Sequence, residues 1–201
     1  MSEHGSESAE ADTSEEEPPA MAVVLDFMPT GRPGDDRPAY KKSPLAYALG
    51  EEEFGLYELT LVEDAGVGVG DSVAVKPRGE SVESVRRVEF DDLTGAARSE
   101  LEYAVEDIID RNERRFVDFY NDAQAITTRL HALNLLPGIG KKLRNNLLDE
   151  RKRGPFESFE DISERVSGLH RPREVLAERI MEELREEEMK YRIFARRPRT
   201  S

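Results

Sequence analysis

The sequence predicts an α+β protein, with a small β-barrel in its N-terminal half and an all-helical unit in its C-terminal half. Three observations predict it. Up to about position 90, apolar residues sit in short runs separated by Gly-, Pro- and Asp-containing turns, as strands do. From Asp91 onward the apolar spacing changes to i, i+4, i+7 with Asp and Glu between, as on an amphipathic helix. Within the helical half, bends at Gly138 and Gly168 interrupt the helices.

Composition sets the limits. The chain has 201 residues, enough for one large or two small domains. It has no run of eighteen apolar residues and no apolar stretch behind a basic N-terminus, so the expectation is a cytoplasmic protein that does not engage a membrane. It contains no cysteine, and His4, His131 and His170 are scattered, so no metal site is expected. No cofactor motif and no small-molecule site is evident. The net charge of −14 argues at first against a polyanionic partner. Yet the 29 cations comprise only seven Lys, against 43 carboxylates. That bias resembles surfaces from salt-saturated cytoplasm, as in haloarchaea, where acidity is a general solubility device. The alternative is an ordinary acidic mesophilic protein. In molar salt the Debye length is roughly 3 Å, so a polyanion would have to be held by close hydrogen bonds rather than by long-range attraction.

The elements follow in order. Residues 1–20 carry seven carboxylates and no Lys or Arg, the composition of a disordered acidic tail. Residues 21–90 hold apolar runs at 21–28, 54–62, 72–76 and 82–88, separated by turn chemistry at 30–36, Gly70-Asp71 and Pro77-Arg78-Gly79. Four or five short strands in that length suggest a barrel of the oligonucleotide-binding (OB) type. In its loops Arg37, Tyr40, Lys41, Lys42 and Tyr47 interleave cations with aromatics, the composition of a stacking-plus-phosphate surface, or equally of loop cations and core tyrosines. Residues 91–122 read as linking helices. Leu101, Val105 and Ile108 share one face, Thr94 is the N-cap, and a second stretch carries Phe116, Val117 and Phe119.

Residues 123–188 carry the functional argument. Ile126, Leu130 and Leu133 predict a short helix ending before Pro137. Gly138-Ile139-Gly140 follows, and a second helix runs from Lys141 to about Arg153, with Ile139, Leu143 and Leu147 as its apolar stripe and Gly154-Pro155 as its stop. Helix, short bend, helix is the form of a helix-hairpin-helix motif. Glycines let the backbone turn and leave it bare. Unpaired N–H groups at the mouth of the second helix, with its dipole, then make a phosphate site formed by Gly138, Ile139, Gly140, Lys141, Lys142 and Arg144. Residues 126–155 hold seven cations against Asp149 and Glu150, a local +5 in an acidic chain. The bland alternative is a plain helical hairpin whose Pro-Gly turn only reverses the chain.

A second copy is visible. Ser158 caps a helix with Phe159, Ile162 and Val166, and Pro172 opens one with Leu176, Ile180 and Leu184. Its bend has one glycine and no lysine pair, so its expected role is packing against the first copy, with Gly168, His170 and Arg171 as a secondary phosphate contact. The tail 189–201 carries Lys190, Arg192, Arg196, Arg197 and Arg199 with no acid. Either it wraps nucleic acid or it offsets the preceding glutamates.

The stretch Ile126-Thr127-Thr128-Arg129-Leu130-His131 leading to Leu135-Leu136-Pro137-Gly138-Ile139-Gly140-Lys141-Lys142 resembles the archaeal domain-of-unknown-function family 655. So do Pro155-Phe156-Glu157-Ser158-Phe159-Glu160-Asp161-Ile162, Tyr47-Ala48-Leu49-Gly50-Glu51-Glu52 and Asp92-Leu93-Thr94. The resemblance spans residues 21–186 and implies an OB-like domain followed by a helix-hairpin-helix pair, with RNA or nucleotide as the ligand class. The expected function is non-enzymatic binding of nucleic acid through its backbone, RNA favoured over DNA, without strong sequence preference. One alternative is a protein-interaction adaptor. Another is a DNA-repair glycosylase of the helix-hairpin-helix superfamily, for which Asp161 is the nearest catalytic candidate, although a carboxylate there also suits a helix N-terminus.

Overall fold

The computed structural model describes residues 20–196; the acidic tail expected at 1–20 and the cations Arg197 and Arg199 lie almost wholly outside them. The chain is α+β. Five strands, β1 (Ala20–Met28), β2 (Leu45–Gly50), β3 (Leu56–Leu61), β4 (Ser72–Lys76) and β5 (Val82–Arg87), form one sheet in the order β4-β1-β2-β3-β5. Every neighbouring pair is antiparallel. The sheet curls into a half-barrel whose inner face is filled by small and branched residues, among them Ala22, Val24, Ala46, Ala48, Leu59 and Val73. Its outer face turns Val23, Leu25, Tyr47, Leu49 and Leu56 toward the helices.

Strand β2 has no sequence signal of its own. It is the central strand, and every residue from Ala46 to Gly50 is buried, because the inner core covers one face and the helices the other. Burial on both faces removes the apolar–polar alternation that marks a half-exposed strand. Tyr47 is therefore a core residue, 5% exposed, and not part of a stacking surface.

Helices α1 (Gly95–Arg111) and α2 (Glu113–Asp122) follow. Thr94 caps α1 as its position predicts: its Oγ1 accepts from the Ala97 amide at 3.1 Å and its hydroxyl donates to Asp26 on β1, fixing the helix to the sheet. Leu101, Val105 and Ile108 are fully buried on the sheet side. Helices α3 (Lys141–Arg153), α4 (Phe159–Arg165) and α5 (Pro172–Arg185) complete the chain. One apolar core runs without a break from the outer sheet face through α1 and α2 to α5.

The helix expected from Ile126 to Leu135 does not form. Residues 124–131 make a tight exposed turn, closed by a bridge between Ala125 and His131, and only Ala132–Leu135 coils, as one 3-10 turn. The hydroxyl oxygen of Thr127 accepts from the amides of Arg129 and Leu130, at 3.3 and 3.0 Å. That side-chain competition with the backbone defeats the helical spacing. Of the supposed stripe only Leu133 is buried, and Ile126 is 41% exposed.

After α5 the chain folds back. The carboxylate of Glu183, fully buried, accepts from the amides of Ile193, Phe194 and Ala195 at 2.7–2.9 Å and from Arg179 Nε at 2.9 Å. Phe194 packs on Phe116 and Phe119. Arg196 pairs with Glu53 in the β2–β3 turn, and Arg192 donates to the carbonyls of Glu186 and Glu187. Residues 191–196 are thus a strap on the body of the protein. Of the two readings of the basic tail, residues 191–196 do not form a free arm.

Candidate nucleic-acid interface

The first bend is built from local rules. Leu136-Pro137-Gly138-Ile139 closes with the Ile139 amide donating to the Leu136 carbonyl at 3.2 Å. Pro at the second position and a glycine at φ +75° in the third give the pattern of a type II turn. Leu136 and Ile139 are buried, so two side chains anchor the loop while its backbone faces out. Gly140 caps α3 with φ −82°, ψ −175°, a conformation open to any residue.

The outward backbone is unoccupied by protein. Among the described residues, nothing accepts from the amides of Gly138, Gly140, Lys141, Lys142 or Leu143, and no side chain caps α3. Gly138, Gly140, Lys141 and Lys142 are all exposed. A Cβ added at Gly138 or Gly140 would meet nothing within 4 Å. Glycine at 138 is demanded by its φ. At 140 nothing in the fold demands it. Lys141 and Lys142 make no ion pair among the described residues, where 11 of the 20 arginines find a carboxylate.

Arg144 is held in place. Its Nη1 donates to Asn134 Oδ1 at 3.0 Å, its Nε and Nη2 reach Asn145 Oδ1 at 3.3 and 3.2 Å, and Asn134 Nδ2 donates to the Ile139 carbonyl at 3.0 Å. Two neutral amides thus orient a guanidinium without cancelling its charge. The sequence reading missed Asn134; an Asn two residues before Leu136 carries no signal without the fold.

The second bend repeats the first. Leu169 N donates to the Val166 carbonyl at 3.1 Å, Gly168 has φ +95°, and Val166 and Leu169 are buried. Ser158 caps α4 and Pro172 opens α5, as expected. The bend packs on α3: Asn146 Nδ2 approaches the Ser167 carbonyl at 3.4 Å, and Leu143 Cδ1 lies 3.6 Å from where a Gly168 Cβ would stand. Its outer side also stays open, since Gly168, His170 and Arg171 are exposed and their amides find no acceptor among the described residues. Between the bends lies a shallow depression of about 480 Å³, with Gly138, Gly140 and Lys142 on one side and Ser167 and Gly168 on the other.

The barrel residues are not brought to this place. Arg37 is tied to Asp35 at 2.7 Å, and that hydrogen bond holds the Asp35 carboxyl down at about 2. Tyr40 is 79% exposed with Lys41 over its ring, and Lys42 lays its stem against Gly31. All four sit in the β1–β2 loop. Helix α2 and the strap attach at the other end of the strands, where Arg115 on α2 donates to the Glu51 carbonyl and Arg196 reaches Glu53. A six-residue strand separates the two ends by about 17 Å. Asp161 accepts from the Glu157 amide and pairs with Arg165, both at 3.0 Å, the geometry of a carboxylate finishing a helix N-terminus.

Comparison with known proteins gives relatives of similar length and shape. An uncharacterized protein of Methanocaldococcus jannaschii is 38% identical over 178 residues, covering 87% of this chain and 79% of its own. The crystal structure of an Archaeoglobus fulgidus protein, described as a DUF655 family model, superposes with a TM-score of 0.80 at 44% identity, covering 88% of this chain and 99% of its own. A family model described as protein of unknown function (DUF655) matches residues 19–196, which include all the described residues, and the chain belongs to that family.

Proposed function

We propose that this protein binds nucleic acid without catalysis, gripping the sugar-phosphate backbone with little sequence preference. In this reading the half-barrel is OB-like and the helical unit is a pair of helix-hairpin-helix elements, the first with the Ala132–Leu135 3-10 turn in place of its leading helix, with RNA the favoured polymer. One observation carries it: the exposed amides of Gly138, Gly140, Lys141 and Lys142, without an acceptor among the described residues, beside two lysines without carboxylate partners there and a glycine at 140 that the fold itself does not require. Backbone donors at a helix mouth suit an oxyanion, and a bare Cα lets it approach. Phosphates recur along any strand, so such contacts position a polymer and carry no base information. The second bend supplies a neighbouring, less cationic set of donors across the depression.

The test is binding of labelled single-stranded RNA and duplex DNA across a KCl series, with Lys141→Glu/Lys142→Glu as the comparison. Reversing both charges should weaken binding at least about a hundredfold and lower the log–log salt slope by about 1.4–1.8, at about 0.7–0.9 per phosphate contact. Equal binding by the variant would move the contact elsewhere. Binding of neither polymer by the unmodified chain would end the reading.

A further inference from the structure

The exposed turn that replaces the expected helix has properties a mere connector does not need. Every residue from Gln124 to Arg129 is exposed, yet the turn is braced from within: the Ile126 and Thr127 amides donate to the Leu130 carbonyl at 2.8 and 3.0 Å, and the Ala132 amide to the Gln124 carbonyl at 2.9 Å. The turn is therefore held in one shape while standing off the surface. At its tip it displays Ile126, one of four large hydrophobics left exposed among the described residues, and Arg129, which has no carboxylate partner there. An apolar side chain and an unpaired guanidinium on a rigid projection form a contact surface in search of a partner.

The position of the turn identifies the partner. Its base, His131, caps the 3-10 turn that leads directly into the first bend, its Nδ1 accepting from the Leu133 amide at 3.1 Å. Arg144 Nη1 donates to Asn134 in that 3-10 turn at 3.0 Å, and Arg151 Nη1, seven residues on and so about 10 Å along the α3 axis, donates to the carbonyl of Ala123, beside Gln124, at 2.9 Å. The base of the turn therefore runs along α3 between Arg151 and Arg144, on the flank of the helix whose mouth carries the open amides.

We propose that residues 126–129 are a second contact element for the same nucleic acid strand, with Ile126 packing on a sugar or base face and Arg129 pairing with a phosphate beside those held at the first bend. This rests on the function proposed above and extends it from an anion grip to a surface spanning several nucleotides. The two side chains make separable contributions. Apolar contact is indifferent to salt, whereas a phosphate contact releases counterions.

Binding of a labelled single-stranded 20-mer RNA and of a 20-base-pair duplex would be measured for the full chain from low to molar KCl. Ile126→Ala should weaken binding about fivefold at every salt concentration and leave the salt slope alone. Arg129→Ala should lower the slope by about 0.7–0.9, and Arg129→Lys should restore it. Both sites are exposed, and matching thermal melts would confirm intact folding. If both variants bind as the parent does while Lys141→Glu/Lys142→Glu does not, the turn is no contact and the hairpin reading stands alone. If the parent binds neither probe, the hairpin reading itself falls, and this extension with it.

Discussion

The two bends of the helical unit are alike in everything that shapes them and unlike in everything that dresses them. Each closes with the same amide-to-carbonyl bond, each places a glycine at positive φ in the third position, and each buries an aliphatic residue on either side of it. Past that point they diverge. The first continues Gly140-Lys141-Lys142 and enters α3 at once. The second continues His170-Arg171-Pro172, takes one more residue to reach its helix, and there loses an amide donor to proline. Its next cation, Arg173, is tied down by Asp110 and Glu106. Shared features report what folding requires, and the unshared ones report what the outer surface does. By that criterion Gly138 and Gly168 belong to the fold, and Gly140 with its lysines to the proposed phosphate site.

The bends also differ in what braces them, and that difference carries the largest expected effect. The first bend leans on a buried ion pair: Arg179 Nη1 donates to the Leu135 carbonyl at 3.1 Å, and Arg179 is held by Glu183. Among the described residues, the second has Ser163 on the His170 carbonyl, Asn146 on that of Ser167 and the Tyr120 hydroxyl on that of Pro172 just beyond it. Glu183→Ala should cost about 3–5 kcal/mol, because it leaves a buried guanidinium uncompensated and three amides without their acceptor. Urea unfolding would measure the loss, and hydrogen exchange should show the first bend and the strap opening before the second bend. Equal opening of both bends would contradict the assigned brace.

The glycines give the sharpest contrast. Gly138→Ala and Gly168→Ala should each cost about 1–2 kcal/mol, since both force a Cβ into left-handed backbone. Gly140→Ser should leave stability within about 0.5 kcal/mol, because its backbone is extended, its surroundings are open, and Ser is a good N-cap. Nucleic-acid affinity should nevertheless fall about tenfold, the effect of a side chain standing where a phosphate approaches. Thermal melts and binding curves on the three variants check this. Loss of stability without loss of affinity at position 140 would invert the comparison.

Why the helical unit was legible and parts of the rest were not has a physical basis. Caps and stops are local chemistry, so Thr94, Ser158, Pro172 and Gly154 mark helix ends that the structure reproduces to the residue. The bend at 136–140 was likewise readable, because proline and glycine act through their own backbone. Strand β2 was hidden by burial on both faces, which only the tertiary fold imposes. The helix at 126–135 was read from spacing alone, and the hydroxyl of Thr127 overrode it. The clasp of Glu183 joins residues ten and more apart to an i, i+4 pair that reads as an ordinary surface salt bridge. Loop cations in the barrel share a composition, but a strand's length separates them from the β2–β3 turn where α2 and the strap attach.

The smallest expected effect also distinguishes the two bends, because only the first is entered through a histidine. Partial burial, then the positive charges of Arg151 and Arg144, hold the His131 imidazole below its ordinary value of 6.5. Its Nδ1 must stay unprotonated to accept from the Leu133 amide. As pH falls below about 6.5 the unfolded chain takes up a proton that the folded chain resists. Stability contributed by the neutral ring is therefore complete above that value and is lost progressively below it, down through the depressed folded value. His131→Asn supplies a cap oxygen that does not titrate there, so the variant should show a shallower fall in Tm than the parent between pH 7 and pH 5. Exchange of the Leu133 amide should quicken with acid in the parent, beyond the intrinsic pH dependence, and not in the variant. Parallel Tm profiles would mean that the imidazole's charge has no bearing on the foot of the first bend.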